Sequence, residues 1–160
     1  MPYQLEDLVN NYGEKLLRYA TSILYNHQDA EDIVQDVFLA AYQHGSDFDG
    51  QNLQAWLYKI TYNKSINKLK RRRFFVFAEM PENTVAPEDS GLSCETLCAL
   101  GQLKPQDRAL LYARIIEGYS YEELSQQMGG TPAGLRKRYE RARKKAAEYL
   151  TMEGDFAYEC

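Results

Sequence analysis

The stretch SYEELSQQMGGTPAGLRKRYERARKK, Ser120 to Lys145, places two helices and a break within twenty-six residues. Ser120 followed three positions later by Glu123 is a capping-box pattern, in which each side chain satisfies the other residue's backbone N–H and starts a helix. Gly129 and Gly130 stop that helix. Thr131 then stands as an N-cap and Pro132 as the first helical residue, where the missing N–H of proline is no loss. A short helix, a glycine turn and a longer helix form the helix-turn-helix pattern.

In the second of these helices Leu135, Tyr139, Ala142, Ala146 and Tyr149 follow spacings of 4, 3, 4 and 3 and form the buried stripe. Arg136, Lys137, Glu140, Arg141 and Lys144 are therefore expected on the outward face. The start of such a helix is the part that enters a major groove. An arginine there bonds guanine O6 and N7 together and discriminates by ~1–3 kcal/mol, whereas a lysine offers phosphates a point charge. Arg136 and Arg141 are the expected base readers. A basic helix that is merely solvated fits the same pattern and stays open as the alternative.

Charge is segregated along the chain. Lys68 to Arg73 holds five cations, and Arg136 to Lys145 holds seven with one acid, Glu140. These two runs contain 12 of the 19 Lys and Arg and a net charge of +11, which leaves −15 on the rest of a 160-residue chain whose total is −4. Two compact basic patches on an acidic body fit local phosphate contacts, with acidic surfaces facing another partner.

Working towards the N-terminus, residues before Phe77 read as helix. Leu5, Leu8, Val9, Tyr12, Leu16, Leu17, Tyr19, Ala20 and Ile23 recur at helical spacing. After YNHQ comes DAEDIVQDVFLAAYQHG, with Asp29 expected to cap, acids in the first turn and Gly45 at the stop. A third helix, about Leu53 to Arg72, carries Leu53, Trp56, Leu57 and Ile60 and then turns basic. Between them, AEMPENTVAPEDSGLS (Ala78 to Ser93) has two prolines, a glycine and four acids without periodicity, and reads as a linker. As a flexible chain it would span roughly 20–25 Å. The expected architecture is all-α: two small helical domains, 1–77 and 95–160, joined by a flexible linker at 78–94.

Several function classes fall away. No apolar run reaches the ~18–20 residues that cross a bilayer, and the first residues have no signal-peptide core, so membrane insertion is not expected and the chain reads as cytoplasmic. Cys94, Cys98 and Cys160 are an odd set that argues against a disulfide framework, and His27 and His44 lie far from Cys94 and Cys98 in sequence, so neither a metal nor another cofactor is expected. The acids of DAEDIVQD come with no nucleophile or metal set, which argues against an enzyme.

Taken in order, DAEDIVQDVFLAAY, LQAWLYKITYNKSINKLKRRR and LKPQDRALLYARIIEGYSYEELSQQMGGTPAGLRKRYERAR resemble an extracytoplasmic-function sigma factor. That is the small two-domain class of the sigma-70 family, which directs bacterial RNA polymerase to promoters. The resemblance runs from about Leu5 to Leu150. It implies that the first motif binds the clamp helices of the polymerase largest subunit through Asp32, Gln35 and Asp36, with Asp36 standing where relatives usually have Glu. It implies that the second motif recognises and melts the −10 element. There Asn63 would help hold a flipped-out base, Tyr58 and Tyr62 would stack on unpaired bases, and Lys68, Lys70, Arg71, Arg72 and Arg73 would grip phosphates. Trp56 would be core, and Phe74, Phe75 and Phe77 would fold back to seal the domain.

The third motif resembles the −35 reader but departs from it. Relatives show G-T-V-K or similar where this chain has Ala133, Gly134, Leu135 and Arg136, so site preference does not transfer. The implied partners are core RNA polymerase, promoter DNA and, commonly in the family, an anti-sigma factor. A stand-alone helix-turn-helix regulator is the alternative; it would bind a palindromic duplex tightly by itself.

Overall fold

Helical spacing of apolar residues puts Leu8, Leu16, Tyr19, Ala20 and Ile23 on one buried side of helix α1 (Leu5–Leu24). Helix α2 (His27–Gln43) lays Ala30, Ile33, Val34, Val37, Phe38 and Ala41 against it. Helix α3 (Leu53–Phe75) completes a three-helix unit with Leu57, Tyr58, Thr61, Tyr62, Ser65 and Ile66 inside. The structure, a computed structural model, describes residues 4–45, 52–75 and 99–154, with the side chains of 73–75 and 151–154 left out. The linker 78–94, the Phe74, Phe75 and Phe77 group and all three cysteines, as expectations about side chains or chain path, lie outside the described residues.

The start of α2 differs from the expectation. Asn26, not Asp29, is the N-cap: its side-chain oxygen accepts the Asp29 N–H at 3.1 Å. Because the helix begins three residues earlier, the Asp29 carboxylate is freed from capping and turns to α3. The C-cap is His44, one residue ahead of Gly45.

The C-terminal unit follows its capping signals. Helix α4 (Pro105–Ile115) is followed by α5 (Tyr121–Met128), whose capping box is complete: Ser120 accepts from the Glu123 N–H and Glu123 accepts from the Ser120 N–H, each at 3.2 Å. Gly129 and Gly130 both take positive φ, +83° and +81°, a conformation that side-chain-bearing residues rarely adopt. Helix α6 (Pro132–Gly154) then starts with the Thr131 hydroxyl accepting the Gly134 N–H at 3.1 Å. A Cβ at Gly134 would meet that same hydroxyl at 3.0 Å, so glycine here gives the cap room.

The chain is all-α among the described residues, and its two units share one core. Ala109, Leu110, Ala113, Tyr119, Leu124 and Leu135 of the C-terminal unit belong to the same buried cluster as the residues of α1, α2 and α3. Helix α4 packs on α1, and α5 packs on α3. Among the described residues no helix is long and apolar enough to cross a membrane.

Candidate nucleic-acid interface

Helix α6 presents the outward face that its periodicity dictates. Leu135 and Ala142 are buried, Tyr139 and Ala146 pack beside them, and Arg136, Lys137, Glu140, Arg141 and Lys144 are all exposed. Arg138, on the flank, is held by Asp107 of α4 at 2.6 Å. Arg136 lies over the Tyr121 ring, 5.3 Å from its centroid, so a cation–π contact orients the side chain from the preceding helix.

Helix α3 is different. Asn63, Lys70 and Arg71 are exposed. Lys68 and Arg72 are not free cations: Arg72 pairs with Asp29, and Lys68 lies 3.5 Å from Asp29 and 3.9 Å from Asp32. Arg73 lies within the helix, its side chain outside the described residues. The expectation that Tyr58 and Tyr62 present their rings to unpaired bases does not hold for this arrangement, since both rings are buried. Both units contribute to this burial. Tyr58 donates to the Glu117 carboxylate at 2.5 Å, and its ring packs on Tyr19 and Tyr119, with centroids 4.7 Å and 5.5 Å away. Burial first, and then the bond to Glu117, push the Tyr58 hydroxyl far above its ordinary pKa. Burial likewise pushes Tyr119 up to about 12. Trp56, expected as core, is half-buried at the edge of the cluster.

On α2 the polar trio Asp32, Gln35 and Asp36 lies on the exposed side, with Ile33, Val37 and Ala41 opposite in the core. Leu39 and Tyr42 extend this exposed side at 53% and 56% accessibility. They continue Asp32 and Gln35 at spacings of four and three, a signal present in the sequence.

Sequence reasoning missed the residues that join the two units. Arg108, only 8% exposed, donates from α4 to the carbonyls of Ser22 and Ile23 at 2.8 Å and 2.5 Å, and to Leu103 at 2.6 Å. Gln54 donates to Tyr119 at 3.0 Å and to Glu117 at 3.4 Å. No spacing rule connects residues 54 and 119, which meet only through tertiary packing.

Residues 8–75 match sigma-70 region 2 and residues 95–145 match sigma-70 region 4. The chain is 30% identical to the RNA polymerase sigma-H factor of Pseudomonas aeruginosa, over 91% of this chain and 87% of that protein. It is 29% identical to the ECF RNA polymerase sigma factor SigE of Mycolicibacterium smegmatis, over 91% of this chain, and spans 61% of SigE's length. Its fold resembles the sigma factor RpoE in a complex with the anti-sigma factor NepR from Bartonella quintana, with a TM-score of 0.79, 27% identity, and coverage of 91% of this chain and 96% of RpoE. The chain therefore belongs to the sigma-70 family of RNA polymerase sigma factors, in its extracytoplasmic-function class.

Proposed function

We propose that this chain binds core RNA polymerase and directs it to particular promoters, acting in the cytoplasm without a cofactor. Sigma factors are initiation factors and not enzymes. Helix α2 docks on the clamp helices of the largest subunit through Asp32, Gln35 and Asp36. Helix α3 engages the −10 element with Asn63, Tyr58, Tyr62 and the cations Lys68, Lys70, Arg71, Arg72 and Arg73. Helix α6 reads the −35 element with Arg136 and Arg141, while Lys137, Glu140 and Lys144 set its register on the backbone. An anti-sigma factor is a third partner, as NepR is for RpoE.

What supports the reading most is the pairing, in one chain and in this order, of a region 2 and a region 4, each carrying a basic helix, with a polar trio exposed on α2. Each contact is modest alone. Linked through polymerase, each raises the effective concentration of the next.

The test mixes purified chain, core polymerase and promoter fragments from the host. Promoter-specific initiation that needs both proteins is the expected result. The double substitution Gln35→Ala with Asp36→Ala should abolish polymerase capture and leave the far-ultraviolet circular dichroism unchanged. Tight binding of the chain alone to a palindromic duplex, with indifference to polymerase, would support the stand-alone regulator instead.

A further inference from the structure

Between α3, α4 and the start of α6 lies a cleft of about 260 Å³. At ~30 Å³ for each molecule of liquid water, that is room for roughly nine waters. Its apolar lining comes from Leu110 and Leu135, both buried, with Met128 and the ring of Tyr62 beside them. The polar lining is Arg138, Arg141, Gln106, Thr131 and the turn at Gly129 and Gly130. No aspartate or glutamate lines the cleft among the described residues.

The donors of this cleft lack acceptors. Arg138 gives its Nε–H to Asp107 at 2.6 Å, and the remaining N–H groups of its guanidinium have no partner among the described residues. Arg141 is exposed and has no ion pair among the described residues. The N–H groups of Gly130 and Thr131, just ahead of α6, have no backbone partner among the described residues either. A Cβ at Gly129 or Gly130 would meet nothing within 4 Å, so the turn leaves open space beside these groups. Burial pushes the Tyr62 hydroxyl above its ordinary pKa, Arg138 pulls it back and Asp107 pushes it up again, so this hydroxyl feels both side chains.

Unsatisfied donors around an apolar cavity select an anion with an apolar body. Inorganic phosphate would satisfy the donors but leave Leu110, Met128 and Leu135 against water. A neutral apolar molecule would cover those residues and leave two guanidinium groups unpaired. A carboxylate is planar and accepts two parallel N–H bonds from one guanidinium, and an aromatic ring packs well beside Tyr62.

We infer that this cleft binds a compact aromatic carboxylate, with Arg138 and Arg141 at its charged end, and that this ligand and promoter DNA compete for Arg141. The competition rests on the proposed role of Arg141 at the −35 element; the binding site does not. By linkage, ligand and duplex each weaken the binding of the other by the same factor.

The experiment uses the full chain with phenylacetate as the probe and with phenylacetamide and inorganic phosphate as controls. In amide proton–nitrogen correlation spectra the Gly129 and Gly130 signals should shift with phenylacetate and saturate. Phenylacetate should bind roughly tenfold more tightly than either control, since only it offers both a charged fork and an apolar body. Arg138→Gln also breaks the pair with Asp107, so two milder variants carry the test. Gln106→Glu keeps the side-chain shape and puts an acid in the cleft, and Arg141→Gln removes a cation from an exposed position; each should weaken phenylacetate roughly tenfold. Saturating phenylacetate should weaken binding to a promoter duplex at low salt, read by fluorescence anisotropy, roughly threefold or more, and Gln106→Glu should erase that ratio. The inference is overturned if the glycine signals do not move, if either control binds as tightly, or if both variants keep their affinity for the probe; an unchanged duplex affinity at saturation overturns the competition. Initiation with core polymerase and no probe, measured in parallel, separates the two readings: if it persists while phenylacetate fails to bind, the sigma function stands and only the cleft falls.

Discussion

Helices α3 and α6 carry the two basic runs of the chain, yet they meet the solvent in opposite ways. On α6 the outward cations are exposed, and apolar packing involves only the inner stripe of Leu135, Tyr139 and Ala142. On α3 the two tyrosines point into a core shared with α4 and α5, and two of the cations are held by Asp29. The contrast teaches that a run of positive charge in sequence does not by itself define a binding surface. What matters is whether tertiary packing already supplies the partner.

The strongest way to break this contrast is to attack the shared core. Leu110 of α4 is fully buried in the cluster that joins both units. Leu110→Ala should cost about 2–5 kcal/mol, the range for a buried leucine that leaves a cavity. Trp56 on α3 is the single tryptophan and reports from the other unit. If the core is shared, urea unfolding followed by Trp56 fluorescence and by circular dichroism should shift together after the substitution. A Trp56 midpoint that stays in place while the dichroism midpoint moves would show two independent cores.

A smaller effect sharpens the other half of the comparison. Arg136 stands on the exposed face of α6, steered by the Tyr121 ring. Arg136→Ala should lose ~1–3 kcal/mol of discrimination at one −35 base pair, as expected when a bidentate arginine contact is removed. Polymerase capture should be unchanged, because the docking face proposed on α2 is separate from α6. Competition between promoter fragments that differ at single −35 positions measures this; equal loss across all positions would make Arg136 a phosphate contact.

The helix-turn-helix was legible because its signals are local. Ser120 and Glu123 cap within one turn, Gly129 and Gly130 adopt the φ that only glycine takes readily, and Thr131 with Pro132 starts the next helix. The stripe through Leu135 and Ala142 was readable for the same reason. The polar trio of α2 came from the resemblance, and its exposed place agrees with helical spacing, which puts Ile33 and Val37 in the core and Asp32, Gln35 and Asp36 outside.

The contact between the two units was not legible, and the reason is physical. Arg108 contacts residues more than eighty positions away, and Glu117 contacts residues about sixty positions away. No periodicity encodes such a meeting. A tyrosine at position 58 reads equally well as a stacking platform or as core, and the deciding fact is what lies across from it. The Asp29 misreading is a milder case: Asn26 and Asp29 are both good caps, and the one that lies earlier wins when the backbone ahead of it is already turning.

Asp29 also provides the finest test of the contrast between the helices. Its carboxylate accepts from Arg72 and lies 3.5 Å from the Lys68 ammonium, two of the cations proposed to meet phosphates. Asp29→Asn keeps the shape and removes the charge. It should cost α2 about 0.3–1 kcal/mol, because an acid in the first turn complements the helix dipole. In return Lys68 and Arg72 become available to single-stranded DNA. The slope of log affinity against log salt should then steepen by about 0.7 for each cation that moves from Asp29 to a phosphate. The same substitution leaves α6 untouched, so the duplex contacts proposed for Arg141 and Lys144 should keep their salt dependence. An unchanged slope on single strands would mean that Lys68 and Arg72 stay on α2 even when their acid is gone, and within the basic run of α3 the electrostatic part of the difference from α6 would then rest on Lys70 and Arg71 among the described side chains.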